Sequence, residues 1–272
     1  MAQAKRKEQA EDEPVRPSQT APLDAAPEAG PWQKPKGLSP RGWGVLAGLT
    51  LVLNAPLLHY YLFRSVPEVS AGMPYHDDFS DPSTVEQHFF STGGHWRVVK
   101  GELLSPGVKN NPLWLKAKLP QNVAVEFDAK SLSPEGDLKV EIFGDGSDHA
   151  SGYVLIHGGW NNTMSVIARL DEHGAPMQQL VAAANGQDLV KSGVFKADTR
   201  MRVEGAHQPV QLGKSYHWRI ERRGALITWF LDGQKYLEFN DPIPLVGEKH
   251  NRFGFSSWEA QLYFDNLSIT PL

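Results

Sequence analysis

The amino-acid sequence predicts an all-β domain held behind one N-terminal transmembrane helix and a disordered tail. Three observations carry this. The chain runs from Gly42 to Phe63 without a formal charge. From about Met73 onward, short apolar alternations are divided by Gly, Pro, Asn and Asp, which is the rhythm of strands and turns. No helical period of useful length interrupts that pattern.

Residues 1 to 40 carry seven prolines and seven alanines, mixed charges, and only isolated hydrophobes such as Val15, Leu23, Trp32 and Leu38. Such a segment has no face to bury, so 1–40 reads as a disordered tail, a solvated spacer or the carrier of a short docking motif. Residues 41–64 read as a signal-anchor helix. From Gly42 to Phe63 a helix is roughly 33 Å long, against a hydrocarbon thickness of about 30 Å. Trp43 at one end and Tyr60, Tyr61 and Phe63 at the other suit the two interfaces. Seven basic residues precede the span, whereas after Arg64 the next is Arg97. That asymmetry predicts a cytoplasmic tail and a periplasmic or extracellular C-terminal domain. A cleaved signal peptide is the rival, but the basic region is too long and the apolar run exceeds the usual length. Asn54, Pro56 and His59 interrupt the run and predict a kink.

After a linker at 65–73, residues 74–272 form the globular domain. Candidate strands are Trp96 to Val99, Leu113 to Ala117, Val123 to Ala129, Leu138 to Phe143, Gly152 to His157, Met164 to Leu170, Met201 to Glu204, Tyr216 to Arg222, Ala225 to Leu231, Lys235 to Phe239, Arg252 to Ser256 and Gln261 to Ile269. Asp232-Gly233 between two of them marks the strongest hairpin, because both positions of a tight turn require positive φ. Residues 182 to 198 read as a long loop. Beyond residue 64 there are 19 basic and 25 acidic residues. That balance lacks the basic footprint of phosphate-backbone recognition and argues against a nucleic-acid partner. With no cysteine in the chain, disulfides, thiolate catalysis and zinc–sulfur sites are excluded. Eight tryptophans are many for 272 residues, and each needs either a core or a ligand.

The stretch Tyr216-His-Trp-Arg-Ile-Glu-Arg-Arg-Gly, followed by Ile227-Thr-Trp-Phe-Leu-Asp-Gly, resembles the late hairpin of concanavalin A-like lectin/glucanase jelly rolls. The terminal Tyr263-Phe-Asp-Asn-Leu-Ser-Ile resembles the closing strand of LamG-like or 3-keto-disaccharide hydrolase-like domains, and His76-Asp-Asp-Phe-Ser-Asp their opening strand. The likeness covers about the last 200 residues. It implies a two-sheet antiparallel jelly-roll sandwich, with sugar chemistry usually lying across a concave sheet. Lectins, carbohydrate-binding modules, glycosidases and adhesion domains share that fold, so function has to be argued from the site.

Related glucanases carry Glu-x-Asp-x-Glu, whose alternation sets three carboxylates on one sheet face. Here the match is Glu126-Phe-Asp-Ala-Lys, and Lys130 stands where the acid/base belongs. Glu126 and Asp128 are therefore expected to be surface residues rather than catalytic ones. The segment His157-Gly-Gly-Trp-Asn-Asn combines a ring, two amides and two glycines, so His157, Trp160, Asn161 and Asn162 are candidates for a sugar platform. A turn whose Trp packs inward fits the same residues. Trp258 beside Glu259 is a second candidate, and Trp114, after Pro112, a weaker one. Asp145 and Asp148, or Asp78 and Asp265 if the first and last strands pair, are weak calcium candidates; no cofactor is otherwise expected. His149, His157 and His173 show no metal-ligand spacing. The reading favoured by these residues is a membrane-tethered, noncatalytic carbohydrate- or envelope-binding domain. The alternatives are a glycoside-cleaving hydrolase or lyase using other residues, and a protein–protein scaffold with a vestigial groove.

Overall fold

In the computed structural model, residues 37–63 and 68–272 are described; the predicted tail up to residue 36 and part of the linker lie outside them. The chain divides into two compact units, Met1–Phe63 and Arg64–Leu272.

The first unit contains α1 (Pro40–Phe63), with Pro56 inside it. By length and composition this helix is able to cross a membrane. Its polar residues satisfy themselves locally. Thr50 Oγ1 donates to Leu46 O (2.9 Å) and Asn54 Nδ2 donates to Thr50 O (2.7 Å), which lowers the cost of placing them in hydrocarbon.

In the second unit the strands are β1 (Tyr75–Asp77), β2 (Phe89–Ser91), β3 (Arg97–Val99), β4 (Glu102–Pro106), β5 (Leu113–Leu115), β6 (Val123–Ser131), β7 (Leu138–Gly144) and β8 (Tyr153–Gly158). They continue with β9 (Met164–Arg169), β10 (Ala175–Pro176), β11 (Met201–Glu204), β12 (Ser215–Arg223), β13 (Leu226–Leu231), β14 (Gln234–Asn240), β15 (Arg252–Ser256) and β16 (Gln261–Pro271). Two short helices, α2 (Thr84–His88) and α3 (Met177–Ala184), complete the unit. One sheet runs β14-β13-β12-β6-β16-β4-β3, with β1 also paired to β16; the other runs β10-β11-β9-β8-β7-β15-β5-β2. Apart from the two-residue parallel pair β10–β11, the pairings are antiparallel. The expected two-sheet jelly-roll sandwich is the observed architecture.

The two sheets meet through rings. Phe127 of β6 lies 5.6 Å, edge to face, from Phe255 of β15, which in turn sits 4.4 Å from Phe264 of β16. Trp218 and Trp229 pack at 4.3 Å beside them. The sheets differ on their outer faces. In β6 every second residue from Glu126 onward is partly exposed, the pattern of a strand with one wet face. In β7 and β8 every residue is buried, because Val154, Ile156, Val166 and Ala168 form a second apolar cluster beneath loops on the outer side. The outer face of the second sheet is thus roofed by loops, and the candidate site lies there.

All twelve expected strands are present within one or two residues of the expected ends. Asp232 and Gly233 take φ of 48° and 78°, as the turn between β13 and β14 requires. The expectation of no useful helix fails at α3. Met177, Leu180 and Ala184 face the core at helical spacing, and Asn185 ends the helix in the left-handed region. Two turns are too short for a windowed period to register. The strands β2, β4 and β10 were likewise not anticipated, two of them having only two or three residues, whereas β1 overlaps the segment that resembles an opening strand. Ordered contacts of the second unit begin inside the expected linker, where the backbone N–H groups of Ser70 and Ala71 donate to Lys116 O.

Candidate functional site

A cleft of about 370 Å³ opens on the outer side of the second sheet, lined by residues that include Trp160, Asn161, Trp258 and Glu259. Two aromatic candidates that lie far apart in sequence converge here. Trp160 sits on the turn from β8 to β9, and Trp258 on the loop from β15 to β16.

The first turn is unusual. Trp160, Asn161 and Asn162 take φ of 50°, 57° and 61° in succession, a left-handed turn that Asn tolerates and Trp does not. The cost falls on Trp160, on the order of 1–2 kcal/mol. Asn162 offsets part of this, because its amide donates to Val210 O (2.8 Å) and its carbonyl accepts from Val210 N (2.7 Å). The approach of neighbouring backbone is so close that a Cβ on Gly136 would lie 2.7 Å from Gly158 O. Asn110, Asp137 and Glu259 also have positive φ. Five of the eleven lining residues therefore occupy this region, against fourteen non-glycine positions in the described chain. Three of the five are Asn or Asp, which tolerate it; Trp160 and Glu259 are strained there, and such strain accompanies functional sites.

Asp137 ties the two loops together. Its backbone N–H donates to Gly158 O (2.8 Å), while its carboxylate accepts from Trp258 N (2.5 Å). The Trp258 loop is held from the other side by Asn110 N to Ser257 O (3.0 Å) and Glu259 N to Val108 O (2.9 Å). Trp258 remains 47% exposed, with the Lys109 ammonium 5.9 Å from its ring centre. Trp160 is half-buried; His173 meets it edge-on at 5.8 Å and the Arg202 guanidinium lies 5.9 Å away.

Beneath the rings lies a buried charge network. The Lys139 ammonium donates to Asn110 Oδ1 (2.9 Å) and stands 3.3 Å from Glu172 and 3.6 Å from Asp137. His149 bridges Glu141 (2.6 Å) and Glu172 (3.5 Å). Burial pushes the Asp137 carboxyl up to about 6 despite the pull of Lys139. Burial acts on Glu172 in the same direction, but His149 and Lys139 outweigh it and hold that carboxyl at about 2. Burial also opposes the His149 imidazolium, yet the hydrogen bond to Glu141 and the nearby Glu172 carboxylate raise it to about 9. His149 is thus a charged link rather than an ordinary loop residue.

The other expected site residues lie elsewhere. His157 faces the sandwich interior, packed against Tyr216 and Tyr236 and bonded to Ser165 Oγ (3.0 Å). Burial lowers its pKa to about 4, and alternation along β8 sends it to the face opposite the cleft. Its inclusion in a sugar platform is corrected accordingly. Asn162 spends its amide on Val210, so it shapes the turn instead of facing a ligand. Trp114 is buried under Gly144 and Gly254. Glu126 and Asp128 lie on the outer face of the first sheet. Glu126 pairs with Arg219, and Asp128 meets His217 (2.8 Å) and Asn266 (2.9 Å). Lys130 pairs with Glu102 at 2.6 Å.

For the calcium candidates, Asp145 accepts from Ser147 N (2.8 Å) and Asp148 N (2.7 Å), closing its own turn. First and last strands do pair, with Asp77 opposite Leu267. Burial, then the nearby Glu102, Asp128 and Asp78, raise the pKa of Asp265. Among the described residues, no group of three or more His, Asp or Glu is placed to hold a metal ion. The sequence reasoning missed Asn110, Glu135, Asp137, Lys139 and Glu172. The available signal was Leu138-Lys-Val-Glu-Ile, a strand whose second face carries charges.

No family model matches the chain. An extracellular exo-alpha-L-arabinofuranosidase of Streptomyces chartreusis is 24% identical over 168 residues, 62% of this chain and 17% of that protein. The chain therefore spans under a fifth of the length of that relative. Among solved structures, a carbohydrate-binding module of Bacillus subtilis superposes with a TM-score of 0.48 at 14% identity, covering 75% of this chain and 99% of the module. A protein of unknown function with a galectin-like fold, from the same organism, gives 0.46 at 12% identity, over 72% and 94%.

Proposed function

We propose that the second unit is a noncatalytic glycan-binding domain, tethered by α1 to a membrane and displayed outside the cytoplasm toward envelope or extracellular polysaccharide. The observation that carries this is the convergence of Trp160 and Trp258 on one cleft, each presented by a strained loop and both loops joined through Asp137. A sugar ring offers an apolar C–H face and a rim of hydroxyls. Aromatic rings suit the first, and the amides and carboxylates of Asn110, Asn161, Glu135 and Glu259 suit the second. An exposed Trp258 adds little to folding, and the backbone cost of the left-handed turn calls for a return in function. The match to one segment of an extracellular arabinofuranosidase is in keeping with an attached module rather than a whole enzyme.

One observation favours the glycoside-cleaving alternative. Asp137 and Glu172 share the cleft, and their environments move their pKa values apart, as in acid/base pairs. Against it, Lys139 stands within ion-pair distance of both, as in a structural charge network. Screening the full chain in mild detergent against a glycan array tests the reading. Binding that disappears in Trp160→Ala and in Trp258→Ala is the expected result; binding that survives both substitutions, or a released sugar product, contradicts it.

A further inference from the structure

The charge of the cleft deepens the glycan-binding reading and rests on it. Four carboxylates line the cleft, from Glu135, Asp137, Glu172 and Glu259, and one ammonium, from Lys139. That ammonium is not available to a ligand. Its side chain is 2% exposed and is already committed to Asn110, Glu172 and Asp137. Lys109 offsets Glu259 at 2.6 Å, and Arg202 is taken by Glu204 at 2.9 Å. Glu135 is exposed, and no ion pair to it is present among the described residues. Glu172 Oε2 is buried and lacks a hydrogen bond of its own, with Lys139 and His149 only at ion-pair distance. The cleft is therefore net negative, and the faces of its two indoles are negative as well.

We propose that this cleft selects glycans bearing free amino groups, such as 2-amino-2-deoxy sugars without N-acetylation, and excludes uronates. A protonated amine entering between the rings gains from the aromatic faces and from carboxylates at once. A uronate brings another negative charge into a partly enclosed, acidic space, where like charges repel strongly.

The test is calorimetric titration of the full chain in mild detergent, at slightly acid pH where the sugar amines are protonated, with three probes of equal length: a de-N-acetylated chito-oligosaccharide, its fully N-acetylated counterpart, and an oligogalacturonate. The de-N-acetylated probe is expected to bind at least about tenfold more tightly than the N-acetylated one, the scale of a charge-assisted bond. Its advantage should shrink as salt rises. Glu135→Gln should weaken it by about two- to fivefold and weaken the N-acetylated probe less, so that the preference between the two narrows. Equal or tighter binding of the N-acetylated probe, or any binding of the uronate, overturns the charge preference and leaves the glycan reading standing. Binding of a neutral array glycan with none of the three probes does the same. Silence of all three probes and of the array overturns the glycan reading itself, as does choline competing as well as the amino sugar.

Discussion

Replacing Lys139 with Met removes the cation that Asp137 and Glu172 share beneath the cleft. Met fills a similar volume, so the loss is electrostatic and not a cavity. At 3.3 and 3.6 Å from Glu172 and Asp137, each attraction is about 5 kcal/mol at an effective dielectric constant near 20. Most of that is offset by the desolvation of Lys139 itself. Breaking a buried pair by removing one partner costs about 3–5 kcal/mol, because the remaining charge is stranded. For a domain of this size each kcal/mol lowers Tm by about 2–4 °C, so the expected fall is about 6–20 °C. Thermal unfolding of the full chain in detergent, followed by tryptophan fluorescence, measures it. The double variant Lys139→Met/Glu172→Gln should recover part of the loss, since it removes a stranded charge. A fall of under about 3 °C, or no recovery in the double variant, would refute the claim that this network is closed and buried.

The pH dependence of stability follows from His149. Its folded pKa of about 9 exceeds the unfolded value of about 6.5, so its contribution is full below about pH 6.5 and is lost as pH rises through about 9. His149→Gln should flatten the denaturation midpoint across that window; an unchanged slope would argue against the Glu141–His149–Glu172 link. On the opposite face, Glu126→Gln should leave glycan affinity, and any glycan cleavage, nearly unchanged. A loss of a thousandfold or more in cleavage, the order expected for an essential catalytic group, would restore the glucanase mechanism to β6. For topology, protease added outside intact cells or spheroplasts should digest the C-terminal domain and spare the tail; digestion of the tail alone would reverse the orientation.

Strand alternation and turn residues were sufficient to read most of the sandwich, because local patterns such as Val123-Ala-Val-Glu-Phe-Asp and Asp232-Gly233 carry their own conformational preference. The same alternation located β7 and β8 but does not say that their outer face is roofed. A strand half in water and a strand roofed by loops look alike when polar residues such as Lys139 and Glu141 find buried partners. Trp160, Trp258, Asn161 and Glu259 were legible as a ring beside polar groups, yet nothing local says that two distant loops share one cleft. Lys139, Glu172 and Asp137 were illegible for that reason, since their charges are paired only by the packing of loops on the outer face. His157 was misassigned because its neighbours in sequence, Gly158 and Gly159, belong to the turn while it belongs to the strand.

Whether Trp160 and Trp258 form one platform in one cleft is decided by a double-mutant cycle on glycan affinity. With a glycan bound by the native chain, Trp160→Ala, Trp258→Ala and the pair are titrated alongside their melting temperatures. If both rings contact one sugar chain, each single substitution removes most of the measurable affinity. The double variant then loses less than the sum of the two, and Tm falls by only a few degrees, because Trp258 is exposed and Trp160 is half-buried, resting on the outer apolar cluster rather than between the sheets. Additive losses, or unchanged affinity in either single variant, would contradict a shared platform, and a collapse in Tm on Trp160→Ala would assign that ring to packing.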